Sequence, residues 1–586
     1  MSSSSTESSA PGFQQKITRC RKIIFSLITV VIILAVCEMG ARLIERISIG
    51  TGELLGQQNP YVDFVNRVPA FRLSSSDGGK VYRRTMYHSP IQSNQQFSQV
   101  KPANGFRIFC LGGSAAKGWP HDVAYTYPNF LKQKLQRAFP DKEIEVINVA
   151  GWSYASHRAK FIFDEIIEYD PDLILIYSGN NEFLENLVYR SMHLGVPWSY
   201  SALLRILYSG WQALATKPPN IVDAKNFGRA DQVATRLSWA FNKASQLRQD
   251  PSQFQALLDH YQYNLDSMVS ECNRRGVGVM LMTVPVNLKD WIPNVSAHRA
   301  DLTEKELMHW QSLFREGVVA LEEGNNQQAI ESLELATQLD DKYAEGRFYL
   351  GKAYHKSGQY QRAKVEFIKA LEHDAYPFRS IPQFDAVLRG IAKSHDVPVV
   401  DIVDMLERGT EDNIIGMDAL IDYVHPSVAS NEQIAHGLLL AMMDDGMVAK
   451  LSDDQLAATK IEMPEEDTID IRGLYSLFIQ FLVMRQYDKL DTIADRLEQR
   501  RLKGIVSGQI SKKQSRDWLT KARRIRDVIG PYRKLLRAEK FGTVNDEFTP
   551  EEATQIFQNY VDLIHEMEAR NVISRRQFEE HIFREQ

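Results

Sequence analysis

Cysteine is nearly absent from this chain: its 586 residues include four, Cys20, Cys37, Cys110 and Cys272. None is spaced as a pair, which speaks against both a zinc site and a disulfide framework. A dominant charge is missing too, since 69 lysines and arginines stand against 74 aspartates and glutamates, a formal net charge of −5. That balance gives no global reason for a nucleic-acid partner, and none is expected. The chain has no glycine-lysine phosphate loop of the Walker type and no dinucleotide fingerprint. His121 and His157 lack acidic or cysteine partners at metal-ligand spacing, so no metal and no other cofactor is expected. With 44% hydrophobic and 24% charged residues, wholesale disorder and a multi-span membrane protein are both excluded. The length is several times the roughly 150 residues of one domain, which implies two or three packed units plus attachments.

Long apolar runs are also scarce, and the one present lies near the beginning. Lys16, Arg19, Arg21 and Lys22 precede the uncharged run Ile23 to Cys37, and a helix continued through Met39, Ala41, Leu43 and Ile44 reaches the ~20 residues that cross a bilayer. Glu38 and Arg42 then fall near the far interface, where long side chains reach water. The cations that follow, Arg42 and Arg46, are accompanied by Glu38 and Glu45, so the positive-inside rule favours a cytoplasmic N-terminus and an external body. A cleaved signal peptide fits less well because no small-x-small site closes the run, and valine before Cys37 departs from a lipoprotein signal. The expectation is a cytoplasmic, disordered segment 1–22, a transmembrane signal anchor 23–44 and a polar connector 45–100, with every later domain extracytoplasmic, hence periplasmic in a bacterium.

Beyond the connector, short apolar runs alternate with helical patterns. Phe106–Leu111, Ile144–Val149, Leu173–Tyr177, Val277–Val284 and Val397–Ile402 read as strands; Tyr127–Phe139, His157–Tyr169 and Tyr261–Arg275 read as helices. Alternation of this kind implies parallel pairing through right-handed crossovers and a three-layer α/β sandwich, with ligands beyond the strand C-termini. A mostly helical insertion is expected over 187–256, with Leu203, Leu204, Ile206, Leu207 and Trp211 on an amphipathic segment that could be a lid but more commonly packs on the core. A second insertion carries an internal repeat: Gly317, Gly324, Ala329 and Ala336 recur 34 residues later as Gly351, Gly358, Ala363 and Ala370. The segment about 310–376 resembles two tetratricopeptide repeats within an insertion placed at 305–376. Two repeats bury little alone, so stacking on the sheet or on later helices is expected, and a structural insertion is slightly favoured over a peptide- or protein-docking surface. After the sheet domain 101–447 a helical C-terminal region, 448–586, is expected, with helices over Leu474–Arg485, Tyr487–Arg501, Gln514–Val528 and Glu551–Ala569. Between Arg496 and Lys540, 15 lysines or arginines stand against four acids, a face for anionic lipid or polymer, or simply a solvated one.

Four blocks carry chemistry. Ser114 lies in Gly112-Gly113-Ser114-Ala115-Ala116, the turn after the first strand of the sheet, where glycines permit a sharp turn and close substrate approach. Alone, such a turn also binds phosphates or merely turns. Asp422-Tyr423-Val424-His425 places a carboxylate three residues before an imidazole, which suits an orienting hydrogen bond but equally suits a surface turn. Asn148-Val149-Ala150-Gly151 and Ser178-Gly179-Asn180-Asn181-Glu182 end two further strands, so both reach the sheet edge of Ser114. The Gly151 and Ser114 amides with the Asn181 side chain would make three donors around an oxyanion, the alternative being structural turns and caps.

Ser114, Gly151, Asn181 and His425, with Asp422 preceding the histidine, occur in the order of the four blocks of the SGNH (GDSL-like) hydrolase family, which the chain resembles over about 101–186, 257–287 and 377–445. The anchor and the inserted repeats look like those of membrane-anchored bacterial members. Gly113 and Glu182 depart from the family, which often has Asp at the first position and usually has Asp at the second. The resemblance implies a serine esterase: His425 takes the Ser114 proton, Asp422 orients His425, and Ser114, Gly151 and Asn181 bind the oxyanion. Its substrate would be an ester-containing small molecule, a lipid or an acylated glycan. Release of the acyl group to a sugar would instead make an O-acetyltransferase. The other class of reading is a membrane-tethered scaffold, in which the repeats bind a protein partner and the hydrolase fold is only a support.

Overall fold

A computed structural model of the chain describes residues 12–48, 70–76, 79–84, 95–151, 154–183, 203, 250–464 and most of 468–569. It falls into two units, one formed by 1–68 with 189–227 and the other by 69–188 with 228–586.

In the first unit a helix runs from Gly12 to Ser48. Its stretch Ile24–Leu43, 20 residues, is long and apolar enough to cross a membrane. The apolar side chains along it, Ile24 and Leu34 among them, are exposed, as a lipid-facing span requires. Glu38 pairs with Arg42 at 2.8 Å and accepts from the Leu203 N–H at 3.0 Å. The remainder of the expected insertion 187–256 lies outside the described residues up to Asp250.

The second unit is organised by a five-stranded sheet in the order β5-β4-β6-β7-β8, every pair parallel. Its strands are β4 (Gly105–Gly112), β5 (Glu143–Asn148), β6 (Leu173–Tyr177), β7 (Gly278–Met282) and β8 (Val399–Val400). β4, β6 and β7 are apolar on both faces because helices cover both. One face is closed by Tyr127–Ala138 and Val428–Asp444, whose Phe130, Leu135, Leu438 and Met442 meet Ile108, Leu175 and Met280. In the other layer Pro251–Arg275 packs against both Ser156–Ile166 and Pro382–His395. The chain is therefore a three-layer α/β sandwich. Its strand order reverses beside β4, where the crossover to β5 goes one way and that to β6 the other. Such a switch point opens a crevice beyond the strand C-termini.

The last strand is shorter than the expected Val397–Ile402. Pro398 has no N–H for the ladder, and the Asp401 side chain accepts from the Asp404 N–H, so Ile402 already begins the helix Ile402–Arg408.

A further element corrects the expectation of a plain connector over 45–100. β1 (Phe71–Ser76), β2 (Gly79–Arg84) and β3 (Gln96–Ser98) form an antiparallel sheet. Their sequences are polar, and a few aromatic anchors dock them: Phe71 and Phe97 are buried, and Phe97 meets Phe109 edge-on at 5.4 Å. Fully buried Arg107 ties the two sheets, bonding Glu145 on β5 at 2.6 Å and the Ser98 carbonyl on β3 at 2.8 Å.

Between β7 and β8 the chain makes two helical hairpins, Glu304–Glu322 with Asn326–Leu339 and Ala344–Lys356 with Tyr360–His373. The repeated glycines sit where the paired helices touch: a Cβ on Gly317 would lie 2.5 Å from Leu333, and one on Gly351 2.7 Å from Phe367. Polar contacts fasten the hairpins to the sheet unit: Lys364 pairs with Glu407 at 2.7 Å, and His355 Nε2 lies 2.6 Å from Asp412 Oδ2.

The C-terminal region is helical at Leu490–Val506, Lys512–Phe541 and Pro550–Ala569. The second of these continues past the expected Val528 and through Pro531. The side chains of 501–523, which include much of the basic stretch, lie outside the described residues. This region touches the first hairpin, where Phe314 meets Phe541 at 6.2 Å and Arg537 pairs with Glu322. Its apolar core, built on Trp291, Phe478, Phe481 and Ile493, also receives Trp119, Ile421 and Tyr423.

Candidate functional site

At the C-terminal end of β4 the backbone turns sharply. Gly112 has φ +151°, and a Cβ there would come within 2.0 Å of the Tyr177 carbonyl, so only glycine fits. Ser114 follows as the first residue of the short helix Ser114–Lys117. Asn148, at the end of β5, holds that helix by donating to the carbonyls of Ala116 and Lys117 at 3.3 and 3.2 Å.

The other half of the site lies 308 residues further on, in the loop after Leu420. Asp422 is wholly buried, and its Oδ1 accepts from the N–H groups of Val424 and His425 at 2.9 and 2.8 Å, which folds the loop into one tight turn. His425 Nδ1 is 2.6 Å from Asp422 Oδ2, and its Nε2 is 2.8 Å from Ser114 Oγ. Burial works to raise the Asp422 pKa, but the electrostatic pull of the adjoining His425 ring and the hydrogen bonds from that ring and the turn N–H groups outweigh it and hold the carboxyl below its usual range. An ionised carboxylate only accepts, so Nδ1 carries the imidazole hydrogen and Nε2 is left to accept from the Ser114 hydroxyl. Trp119 stands edge-on to His425 with centroids 4.6 Å apart, limiting its room to turn.

Asn181 and Gly151 are brought to the same corner with unequal results. The Asn181 amide nitrogen lies against the backbone just before Ser114, where a Cβ on Gly113 would be 2.3 Å away. One of its hydrogens goes to the Tyr154 carbonyl at 3.0 Å, which leaves the second for another acceptor. The Gly151 N–H departs from the expected arrangement, because it donates to the Gly112 carbonyl at 3.1 Å and continues the β4–β5 pairing by one rung. Gly151 is needed there for another reason: a Cβ would lie 2.4 Å from the Tyr154 ring.

The two departures from the family pattern have local causes. Any side chain at 113 would collide with Asn181. The fully buried Glu182 accepts from Ser156 N and Oγ at 2.9 and 2.8 Å, supplying the cap that Ala155 cannot give the helix Ser156–Ile166. Neighbouring His260 is pushed down to about 3, first by burial and then by His157. Lys117, one turn after Ser114, is pushed down to about 7 by burial and then by the Arg84 charge.

The role of Asn148 as a support of the serine turn was not legible in the sequence, because its partners lie 31 and 32 residues earlier. Nor was that of Gln480, which bonds Asp422 from the C-terminal region. Nothing local to a helical polar residue marks such a role. Among the described residues, no group of three or more His, Cys, Asp and Glu is placed to hold a metal ion.

A family model for the tetratricopeptide repeat matches residues 320–375. The match takes in the last residues of Glu304–Glu322 and the three helices that follow, so the inserted hairpins are tetratricopeptide-like. No curated protein matches the chain. Among solved structures it is similar to an acetylxylan esterase from Geobacillus stearothermophilus, at 13% identity over 59% of this chain and 96% of that one, with a TM-score of 0.26. It is also similar to an alpha/beta hydrolase enzyme from the metagenome of Lake Arreo, Spain, at 11% identity over 58% and 96% of the two chains, with a TM-score of 0.26.

Proposed function

We propose that this protein is a membrane-anchored serine esterase of the SGNH type, acting outside the cytoplasmic membrane through an acyl-enzyme on Ser114. The observation that supports it is the unbroken chain from Asp422 through His425 to Ser114 at 2.6 and 2.8 Å. His425 Nε2 takes the hydroxyl proton as Ser114 Oγ attacks the ester carbonyl, and Asp422 holds the ring and its developing charge. The oxyanion is received by the Ser114 N–H and the remaining Asn181 hydrogen, each worth about 3 kcal/mol in comparable sites. The Gly151 amide joins them only after releasing Gly112. His425 then returns the proton to the leaving alcohol, and water repeats the steps in reverse to free the acid.

The anchor is the span Ile24–Leu43, with the four cations before it on the cytoplasmic side. The substrate class is a small acyl ester, an acylated glycan or a lipid, and the repeats brace the fold. The test is hydrolysis of a short-chain nitrophenyl ester by the detergent-solubilised full chain beside Ser114→Ala. A loss of at least about a thousandfold is expected. Equal rates in the two proteins would overturn the reading.

A further inference from the structure

The polar bonds of Asp422 are not all supplied by its own loop. Oδ1 is occupied by the two turn N–H groups, and Oδ2 by the His425 ring. Oδ2 receives a second donor, the side-chain amide of Gln480, at 2.7 Å. That residue lies 58 positions further along, beyond residue 447, where the sheet domain was expected to end.

Its placement is built rather than incidental. Phe478 and Phe481, on either side of Gln480, are buried in the core that takes in Trp291, Ile421 and Tyr423, so the helical turn carrying Gln480 is clamped on the Asp422 loop. The same region makes further polar contacts at this corner, since Thr468 Oγ1 is 3.0 Å from His121 Nδ1 and the Gln486 amide donates to the Ile292 carbonyl at 3.0 Å. His121 in turn reaches the Pro426 carbonyl, the residue after His425, at 2.9 Å.

We infer that Gln480 is a positioning residue for the reaction proposed above, a fourth member of the Ser114–His425–Asp422 relay that the C-terminal helical region contributes through its amide bond to Asp422 Oδ2. The inference rests on the serine-esterase reading and deepens it. An amide donor on Oδ2 fixes the carboxylate rotamer, and so the ring plane of His425 and the aim of Nε2 at Ser114. It also draws charge away from Oδ2, which limits how strongly the carboxylate favours the protonated ring over the neutral one. The C-terminal region is thereby part of the reaction centre as well as of the fold.

The chemistry gives a signed expectation. Without the amide, Oδ2 bears more charge, the protonated His425 ring is stabilised, and the acid limb of the kcat/KM profile moves up in pH. Gln480→Leu should move it by roughly half a pH unit and lower kcat about tenfold with KM unchanged. Gln480→Glu, of the same shape, sets a second carboxyl against Oδ2 and should move the limb further, by roughly one unit. Other titratable groups face this corner. Tyr423 and Tyr376 are held protonated by burial, His121 is tied to Thr468 and Pro426, and Lys117 titrates near 7 on the Ser114 helix. Because Lys117 is itself pushed down to about 7 and could shape the profile, a second readout is the low-field proton resonance of the His425 Nδ1–H, identified by its loss in His425→Ala.

The experiment compares the solubilised full chain with both Gln480 variants and with Ser114→Ala. Support requires that the His425 proton shift in both variants and that the acid limb rise in the order native, Leu, Glu. An unmoved limb and an unmoved resonance in well-folded Gln480→Glu would overturn the role of Gln480, while Ser114-dependent activity left the esterase reading standing. Activity independent of Ser114 would sink the esterase reading itself. The resonance would then still report whether Gln480 acts on the Asp422–His425 pair.

Discussion

The two halves of the site are built by different means. Ser114 and Asn181 end adjacent strands, β4 and β6, and their positions follow from sheet register and from glycine turns within a few residues. Asp422 and His425 follow a last strand of only two residues, so little of the sheet reaches them. They are held by the loop's own N–H groups, by Asn287, whose amide donates to the Asp422 carbonyl at 3.0 Å, and by the C-terminal core around Trp291. The nucleophile side is thus fixed by local structure, and the histidine side by contacts between segments far apart in the chain. The second half should be the easier to disturb from a distance.

Trp291→Ala attacks the second half at its root. The ring is fully buried between Tyr423 and Phe481, at 5.1 and 5.6 Å, and its loss should cost about 3–5 kcal/mol, read as a lowered denaturation midpoint. Activity should fall in the fraction still folded, since Tyr423 lies within the turn. If only stability changed, the two halves would be equally independent of the C-terminal region.

Gly113→Asp tests the first half by restoring a residue common in the resembled family. With Asn181 Nδ2 at 2.3 Å from the new Cβ, the amide must move off the oxyanion position, and kcat should fall roughly a hundredfold with KM little changed. Retention of full activity would show that Asn181 is not used.

Asn148→Ala removes the two bonds that hold the Ser114 helix and the acceptor bond from the Ala150 N–H at 3.1 Å. About 1–2 kcal/mol of stability should be lost, measured by denaturant titration.

The last effect is one of pH. A histidine whose folded pKa is depressed resists protonation that the unfolded chain accepts, so stability is lost as pH falls below the ordinary value of 6.5 toward about 3. His260 should therefore impose a slope of at most about 1.4 kcal/mol per pH unit over that window. Replacing His260 with phenylalanine should flatten it, and an unchanged slope would assign it elsewhere.

Much of the architecture was legible because it is periodic. Leu173–Tyr177 and the 34-residue repeat carry their signal within short windows, and the helices around Ser114 and Asn181 follow apolar spacing. The antiparallel sheet at 71–98 was illegible because its strands are largely polar and depend on two phenylalanines meeting residues elsewhere. The end of β8 was overestimated because Pro398 and Asp401 break a run that β-branching alone extends.

The residue types at the site, their order and the strand each follows were settled by sequence, since strand ends and tight turns depend on neighbours in the chain. That the Gly151 N–H faces the Gly112 carbonyl was decided only by the pairing of β4 with β5. That residue 113 must lack a side chain was decided by Asn181, and that Asp422 has a second donor on Oδ2 was decided by a helix 58 residues away. Such facts belong to tertiary structure because a hydrogen bond or a steric limit depends on distance in space, which local sequence patterns do not encode.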